Sequence, residues 1–333
     1  MVNRIILLLF ALSLCIVFAA CGEDPSPPVT PLSTAVSTEA SFGTPISNRI
    51  EVHADSDQDG HDHSHLEPAQ ATAEMSVALV PSELVVGPNR FAVGLFDANG
   101  QAVNQAEVHF HYYDLSNPQT PVLESHAAAT RLQTPDGLTT IFTHEREFPH
   151  AGEWGVEVQA RFPNGTAALK RIGFEVLAES TAPMPGEEVP PVDTLTTSDV
   201  NNDLSQLTSA PAPNPAFYQQ SLNEAITNGK PTVLLFATPA FCQTRFCGPA
   251  YELTSALQER YAVQINFIHV EVYSGLPNPS ATNWQVAPAM AAFGLSTEPW
   301  LYLIDRNGVV VYRVEGMFGM AEIEQLLPAL LES

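Results

Sequence analysis

The stretch Thr232-Val-Leu-Leu-Phe-Ala-Thr-Pro-Ala-Phe-Cys-Gln-Thr-Arg-Phe-Cys-Gly-Pro249 decides the reading of the C-terminal half. It opens as a short apolar run of strand length, breaks at Thr238-Pro239, and reaches a proline suited to the first turn of a helix. This predicts a buried strand over 232–237 and a helix over 249–261, with Cys242 and Cys247 between them. The chain has four cysteines. Cys15 lies inside an N-terminal apolar stretch and Cys21 at its end, so Cys242 and Cys247 are the pair that a processed protein keeps in its folded part. A close pair in an exported chain is either a structural disulfide or a redox pair. A strand leading through the pair into a helix points to the second.

Working outward, apolar spacing and breakers predict a helix over 217–227, stopped by Gly229, and a second buried strand over 265–272. A helix over 286–293, a hairpin of strands 300–304 and 309–314 around Arg306-Asn-Gly308, and a final helix over 320–331 follow. Phe246-Cys-Gly-Pro-Ala250 resembles the signature of the thioredoxin family, with Ala250 where the second cysteine would stand. Gly294-Leu-Ser-Thr-Glu-Pro-Trp-Leu-Tyr-Leu-Ile-Asp-Arg-Asn-Gly308 resembles that family's cis-proline loop and hairpin. The resemblance spans about 120 residues and implies an α/β thioredoxin fold over 214–333. It also implies a cis Glu298–Pro299 bond and a place for Pro299 beside an active cysteine pair. The pattern departs from the family in three ways: the spacing is C-x4-C, Leu235 stands where many members keep a buried acid, and Phe241 and Phe246, not Trp, precede the cysteines.

The spacing has a physical consequence. Were residues 242–247 all helical, the two cysteines would point about 140° apart and could not pair. With Pro249 opening the helix, both precede it, in a loop able to fold back. Cys247 is then nearest the helix N-terminus, where unpaired N–H groups favour a thiolate, and Arg245 adds positive charge. Cys247 is therefore expected to attack and Cys242 to resolve, in thiol–disulfide exchange with exported thiol or disulfide proteins. Two alternatives stand beside it. Cys242 and Cys247 could hold and deliver Cu(I) in the manner of the Sco-type copper chaperones, since soft thiolates select that ion. Or the pair is a permanent staple in a non-catalytic binding module. Exchange itself requires no cofactor.

The preceding part reads as all-β. Runs of alternating or β-branched character recur at 75–80, 91–96, 106–113, 138–144, 154–162 and 168–176, with turn signals such as Pro163-Asn-Gly165 between them. About 100 residues and six or seven strands fit an immunoglobulin-like β-sandwich over 74–177. Gly87-Pro-Asn-Arg-Phe91, Asp97-Ala-Asn-Gly100 and Gly152-Glu-Trp-Gly-Val-Glu-Val158 resemble the YtkA-like exported sandwich domains, which implies a fold more than an activity. The expected fold class is thus two domains, an all-β immunoglobulin-like sandwich followed by an α/β thioredoxin fold. His109 and His111 share one strand face but lack a third ligand. His269 sits in a central strand and reads as a core histidine.

The N-terminus reads as an export signal over 1–20: Arg4 supplies positive charge and Ile5–Ala20 an apolar stretch shorter than the ~20 residues of a spanning helix. Phe18-Ala-Ala-Cys21 resembles the lipobox of bacterial lipoproteins, which implies lipidation of Cys21 and attachment to the extracytoplasmic face of the cell membrane. Residues 21–73 read as a disordered tether rich in His, Asp and Pro. Within it His61, His63 and His65, with His53 and nearby aspartates, could bind copper or zinc weakly. Residues 178–213, with six prolines among acidic and small residues, read as a second, semi-extended linker that buries little. A net charge of −24, with lysine only at 170 and 230, argues against nucleic acid or anionic lipid as a partner, since phosphate would be repelled.

Overall fold

The computed structural model describes residues 71–135, 137–242 and 244–333. The N-terminal part is built from eight strands: β1 (Met75–Leu79), β2 (Gly87–Asp97), β3 (Glu107–Asp114), β4 (Val122–Ala128), β5 (Thr130–Gln133), β6 (Thr140–Phe148), β7 (Gly152–Arg161) and β8 (Ala167–Val176). They form two four-stranded antiparallel sheets, in the orders β1-β2-β6-β5 and β4-β3-β7-β8. Phe91, Val93 and Leu95 of one sheet share a core with Phe110, Tyr112, Trp154 and Val156 of the other. The Phe91 ring meets Phe110 and Tyr112 edge-on, each at 5.3 Å. Six of the strands match predicted runs. The sequence reading omits β4 and β5, whose residues are mostly exposed and carry no apolar alternation.

The C-terminal part is an α/β body. In chain order it holds α1 (Leu222–Ala225), β9 (Thr232–Ala237), α2 (Cys247–Tyr261), β10 (Asn266–Glu271), α3 (Pro288–Ala292), β11 (Trp300–Ile304), β12 (Val310–Glu315), α4 (Met320–Glu324) and α5 (Leu327–Glu332). The sheet order is β10-β9-β11-β12, with β10 parallel to β9 and the other pairs antiparallel. All six residues of β9 are buried. Val233 and Leu235 join Tyr251 and Leu257 of α2 on one face, while Leu234 and Phe236 join Met290 and Phe293 on the other. Each such side chain contributes about 1.5–3 kcal/mol by leaving water.

Helix boundaries differ from the sequence reading where local chemistry intervenes. The predicted helix over 217–227 is a 3₁₀ turn at Pro215–Tyr218 and a separate α1, because Ser221 caps a new start in a reciprocal box with Glu224. The predicted final helix splits into α4 and α5, with Pro328 in the first turn of α5. The helix expected from Pro249 begins two residues earlier, at Cys247. No helix among the described residues is long and apolar enough to cross a membrane.

The tract 178–213 is not the free linker its composition suggests. Ala182, Val189, Val200, Leu207 and Ala210 are buried in the two cores of the α/β body. The tract also pairs with the hairpin that ends in β12: Gly186 N–H donates to the Val310 carbonyl, Val310 N–H to that of Glu187, and Val189 N–H to that of Gly308. At the other sheet edge, Ser209 donates through its N–H and hydroxyl to Glu271 at 2.8 and 2.9 Å. Averaged composition misleads because a few well-placed apolar side chains and an open strand edge suffice to hold the chain as a strap.

The two bodies are in contact. Arg90 of β2 pairs with Glu322 at 2.5 Å and donates to the Met317 carbonyl. Ala92, Ile141 and Met317 share a small apolar cluster with Val80, Leu132 and Phe246. Glu83 pairs with Arg313 of β12 at 3.0 Å and also accepts from the hydroxyls of Ser180 and Thr181. One buried carboxylate thus ties the two-sheet body, the strap and the α/β sheet together; removing a partner of such a pair costs about 3–5 kcal/mol.

Two measurements check this packing. Gly294 has φ +65°, and a β-carbon there would overlap the Thr181 carbonyl oxygen of the strap. Gly294→Ala should therefore destabilise by roughly 3 kcal/mol, whereas Gly165→Ala, equally left-handed but facing open space, should cost only about 1 kcal/mol. Equal thermal shifts would mean that the strap is not seated as described. Limited proteolysis should likewise leave 178–213 uncut until the α/β body unfolds.

Candidate active site

β9 ends at Ala237, and the chain turns through Thr238-Pro239 before α2 begins. In that turn the Cys242 N–H donates to the Thr238 carbonyl at 3.0 Å, which fixes the loop against the sheet. Cys242 is half-buried, with its sulfur 3.2 Å from the Thr244 hydroxyl. Cys247, the first residue of α2, is fully buried in the core that holds Val233 and Leu235. Both are free thiols. The third member is Glu298, just before β11. The two sulfurs and a Glu298 carboxylate oxygen all lie within 4.8 Å of one another, a set able to hold a metal ion.

The acidities of the two thiols run opposite to the sequence expectation. Cys242 is lowered to about 6, first by a hydrogen bond from the Cys247 thiol, with the Thr244 hydroxyl and the backbone N–H groups of Cys247 and Thr244 adding to it. Burial, and then the hydrogen bond to Cys242, push the Cys247 thiol well up. The helix N-terminus favours a thiolate, but its first N–H, that of Cys247, acts on the Cys242 sulfur, together with the loop N–H of Thr244. The sulfur on the helix points into the core, where desolvation outweighs the helix field.

Glu298 is pushed up to about 7 by burial, then by the negative charge of Cys242 and of Glu271. Sequence reading names it only as the partner of Pro299; an acid immediately before the predicted cis-proline was the available signal. The Glu298–Pro299 bond is cis as expected, and the Pro299 carbonyl accepts from Gly316 N–H at 2.8 Å. Leu235, in place of the family's buried acid, is fully buried core. Phe241, Tyr273 and Trp284 form an edge-on aromatic group beside Cys242, with ring centroids 5.2 to 6.4 Å apart, which the sequence did not signal.

The histidines resolve differently. His269 lies in β10, which is an edge strand and not the central one expected, yet it is buried, with Nδ1 2.7 Å from the Tyr218 hydroxyl and Nε2 3.0 Å from the Ala237 carbonyl, so it is a hydrogen-bonded core residue. His111 lies 3.7 Å from Glu157 and beside the His126 ring. His61, His63 and His65 of the tether, and the lipobox residue Cys21, lie outside the described residues.

Residues 218–331 match the family model of a thioredoxin-like domain. Among solved structures, the chain is similar to a thiol:disulfide interchange protein of the thioredoxin family from Chlorobium tepidum TLS. The two are 18% identical over 46% of this chain and 99% of that one, with a TM-score of 0.31. It is also similar to CopC from Methylosinus trichosporium OB3b, at 12% identity over 30% of this chain and 87% of that one, with a TM-score of 0.22. No curated protein matches the sequence. The C-terminal part of the chain, residues 218–331, is a thioredoxin-like domain.

Proposed function

We propose that this protein exchanges thiols and disulfides with exported partners, with Cys242 as the attacking sulfur and Cys247 as the resolving one. The observation that carries this reading is the asymmetry of the pair: a reachable, acidified thiol in front of a helix and a buried, protonated one on it. The Cys242 thiolate attacks a sulfur of a partner disulfide, a Cys242–partner bond forms, and the partner's other sulfur leaves and takes up a proton. Cys247 then attacks the Cys242 sulfur. The Cys242–Cys247 bond forms, the partner's remaining sulfur leaves, and the proton of Cys247 passes to it. Two electrons move from the pair to the partner; the reverse sequence oxidises a partner dithiol.

The setting belongs to the same reading. The lipobox around Cys21 supports attachment to the outer face of the cell membrane, where more than one acyl chain would make the anchor stable. The two-sheet body reads as an immunoglobulin-type, YtkA-like domain that spaces or binds, between the anchor and the redox domain. The aromatic group of Phe241, Tyr273 and Trp284 offers apolar surface to the partner chain beside Cys242. The Sco-like copper reading gains nothing from His269, since both of its ring nitrogens are engaged in the core.

Trapping tests the roles directly. Cys247→Ser should accumulate mixed disulfides through Cys242, and Cys242→Ser should form none. Alkylation of Cys242 should plateau above about pH 7 and fall nearly tenfold per pH unit below its pKa of about 6, because only the thiolate reacts. Trapping through Cys247 instead, or a Cys242 midpoint near that of an ordinary thiol, would reverse the assignment.

A further inference from the structure

We propose that the reduced pair and Glu298 form a binding site for one divalent zinc ion. Two sulfurs and one carboxylate oxygen converge within 4.8 Å of one another. Tetrahedral zinc, with bonds of about 2.3 Å to sulfur and 2.0–2.2 Å to oxygen, places such donors about 3.4–3.8 Å apart, so the three need only a small inward movement. The movement is available, because Cys242 sits in a loop while Cys247 and Glu298 are held by α2 and by the start of β11.

The charges argue for a cation. The three donors are all acids, and a fourth, Glu271, acts on Glu298. Glu271, held by Ser209, adds negative field from the end of β10 without joining the cluster.

The donor set selects the metal. Two thiolates suit Cu(I), Zn(II) and other thiophilic ions, but a carboxylate as third ligand suits a borderline divalent ion better than soft Cu(I). Three protein ligands leave a fourth tetrahedral position for water. Binding displaces the thiol and carboxyl protons to solvent and requires the reduced pair, since a Cys242–Cys247 disulfide leaves no thiolate to donate. Zinc and disulfide exchange therefore exclude one another, and the metal would hold the pair reduced and silent.

Cobalt(II) in place of zinc provides the test, because a thiolate-to-cobalt charge-transfer band reports cysteine ligands and ignores the tether histidines. Reduced full-length protein titrated with Co(II) should show that band, saturating at one ion per chain and bleached by Zn(II). Oxidised protein and Cys247→Ser should show none. Glu298→Gln should weaken the affinity by more than the roughly 10–100-fold that loss of an outer-shell partner costs, at an unchanged thermal midpoint. Absence of the band from reduced wild-type protein would overturn the site. A band of equal affinity in Glu298→Gln would remove Glu298 as a ligand. The trapping of mixed disulfides by Cys247→Ser is read without metal, so it stands or falls separately.

Discussion

Cys247 begins α2 and is packed in the same core as Val233 and Leu235, so a thiol at a helix N-terminus is held out of water. From that one placement the asymmetry of the site follows. Desolvation keeps the Cys247 proton on its sulfur, and the Cys247 thiol and N–H both hydrogen-bond Cys242. A helix N-terminus lowers the pKa of whichever sulfur its N–H groups face. In this chain that sulfur is in the loop, because a C-x4-C spacing gives Cys242 enough backbone to lie in front of the helix axis.

The surrounding fold keeps this arrangement in place. β9 is buried on both faces, and the turn that leaves it carries Cys242. The strap over 182–210 closes the hairpin edge of the sheet and anchors at Glu271, whose carboxylate field reaches Glu298. Glu83 and Arg90 attach the two-sheet body to β12 and to Glu322. Phe246, next to Cys247, packs in the apolar cluster shared with Val80 and Leu132.

Much of this was legible in the sequence where a pattern is local. The strand at 232–237, the hairpin around Asn307-Gly308 and the cis bond before Pro299 follow from apolar runs, turn residues and a family motif, and each is present. What was not legible depends on three-dimensional neighbours. Linear spacing places Cys247 near the helix start but carries no sign that its side chain faces the core, where burial raises its pKa. The strap was missed because Val189, Val200 and Leu207 are diluted among prolines and acids, and composition cannot show that each meets a pocket. β4 and β5 were missed because a mostly exposed strand carries no alternation. Glu298 lies more than fifty residues from Cys242, and nothing in linear spacing joins them.

The central claim is that Cys242 and Cys247 form a couple that cycles, not a staple. The reduction potential of the pair, measured by equilibrium with glutathione redox buffers and mass spectrometry of alkylated thiols, tests it most directly. A thiolate stabilised at Cys242 favours the reduced form. The account therefore predicts a potential in the range of exchange proteins, between about −270 and −120 mV. A value below about −300 mV, where structural disulfides of secreted proteins lie, would contradict it.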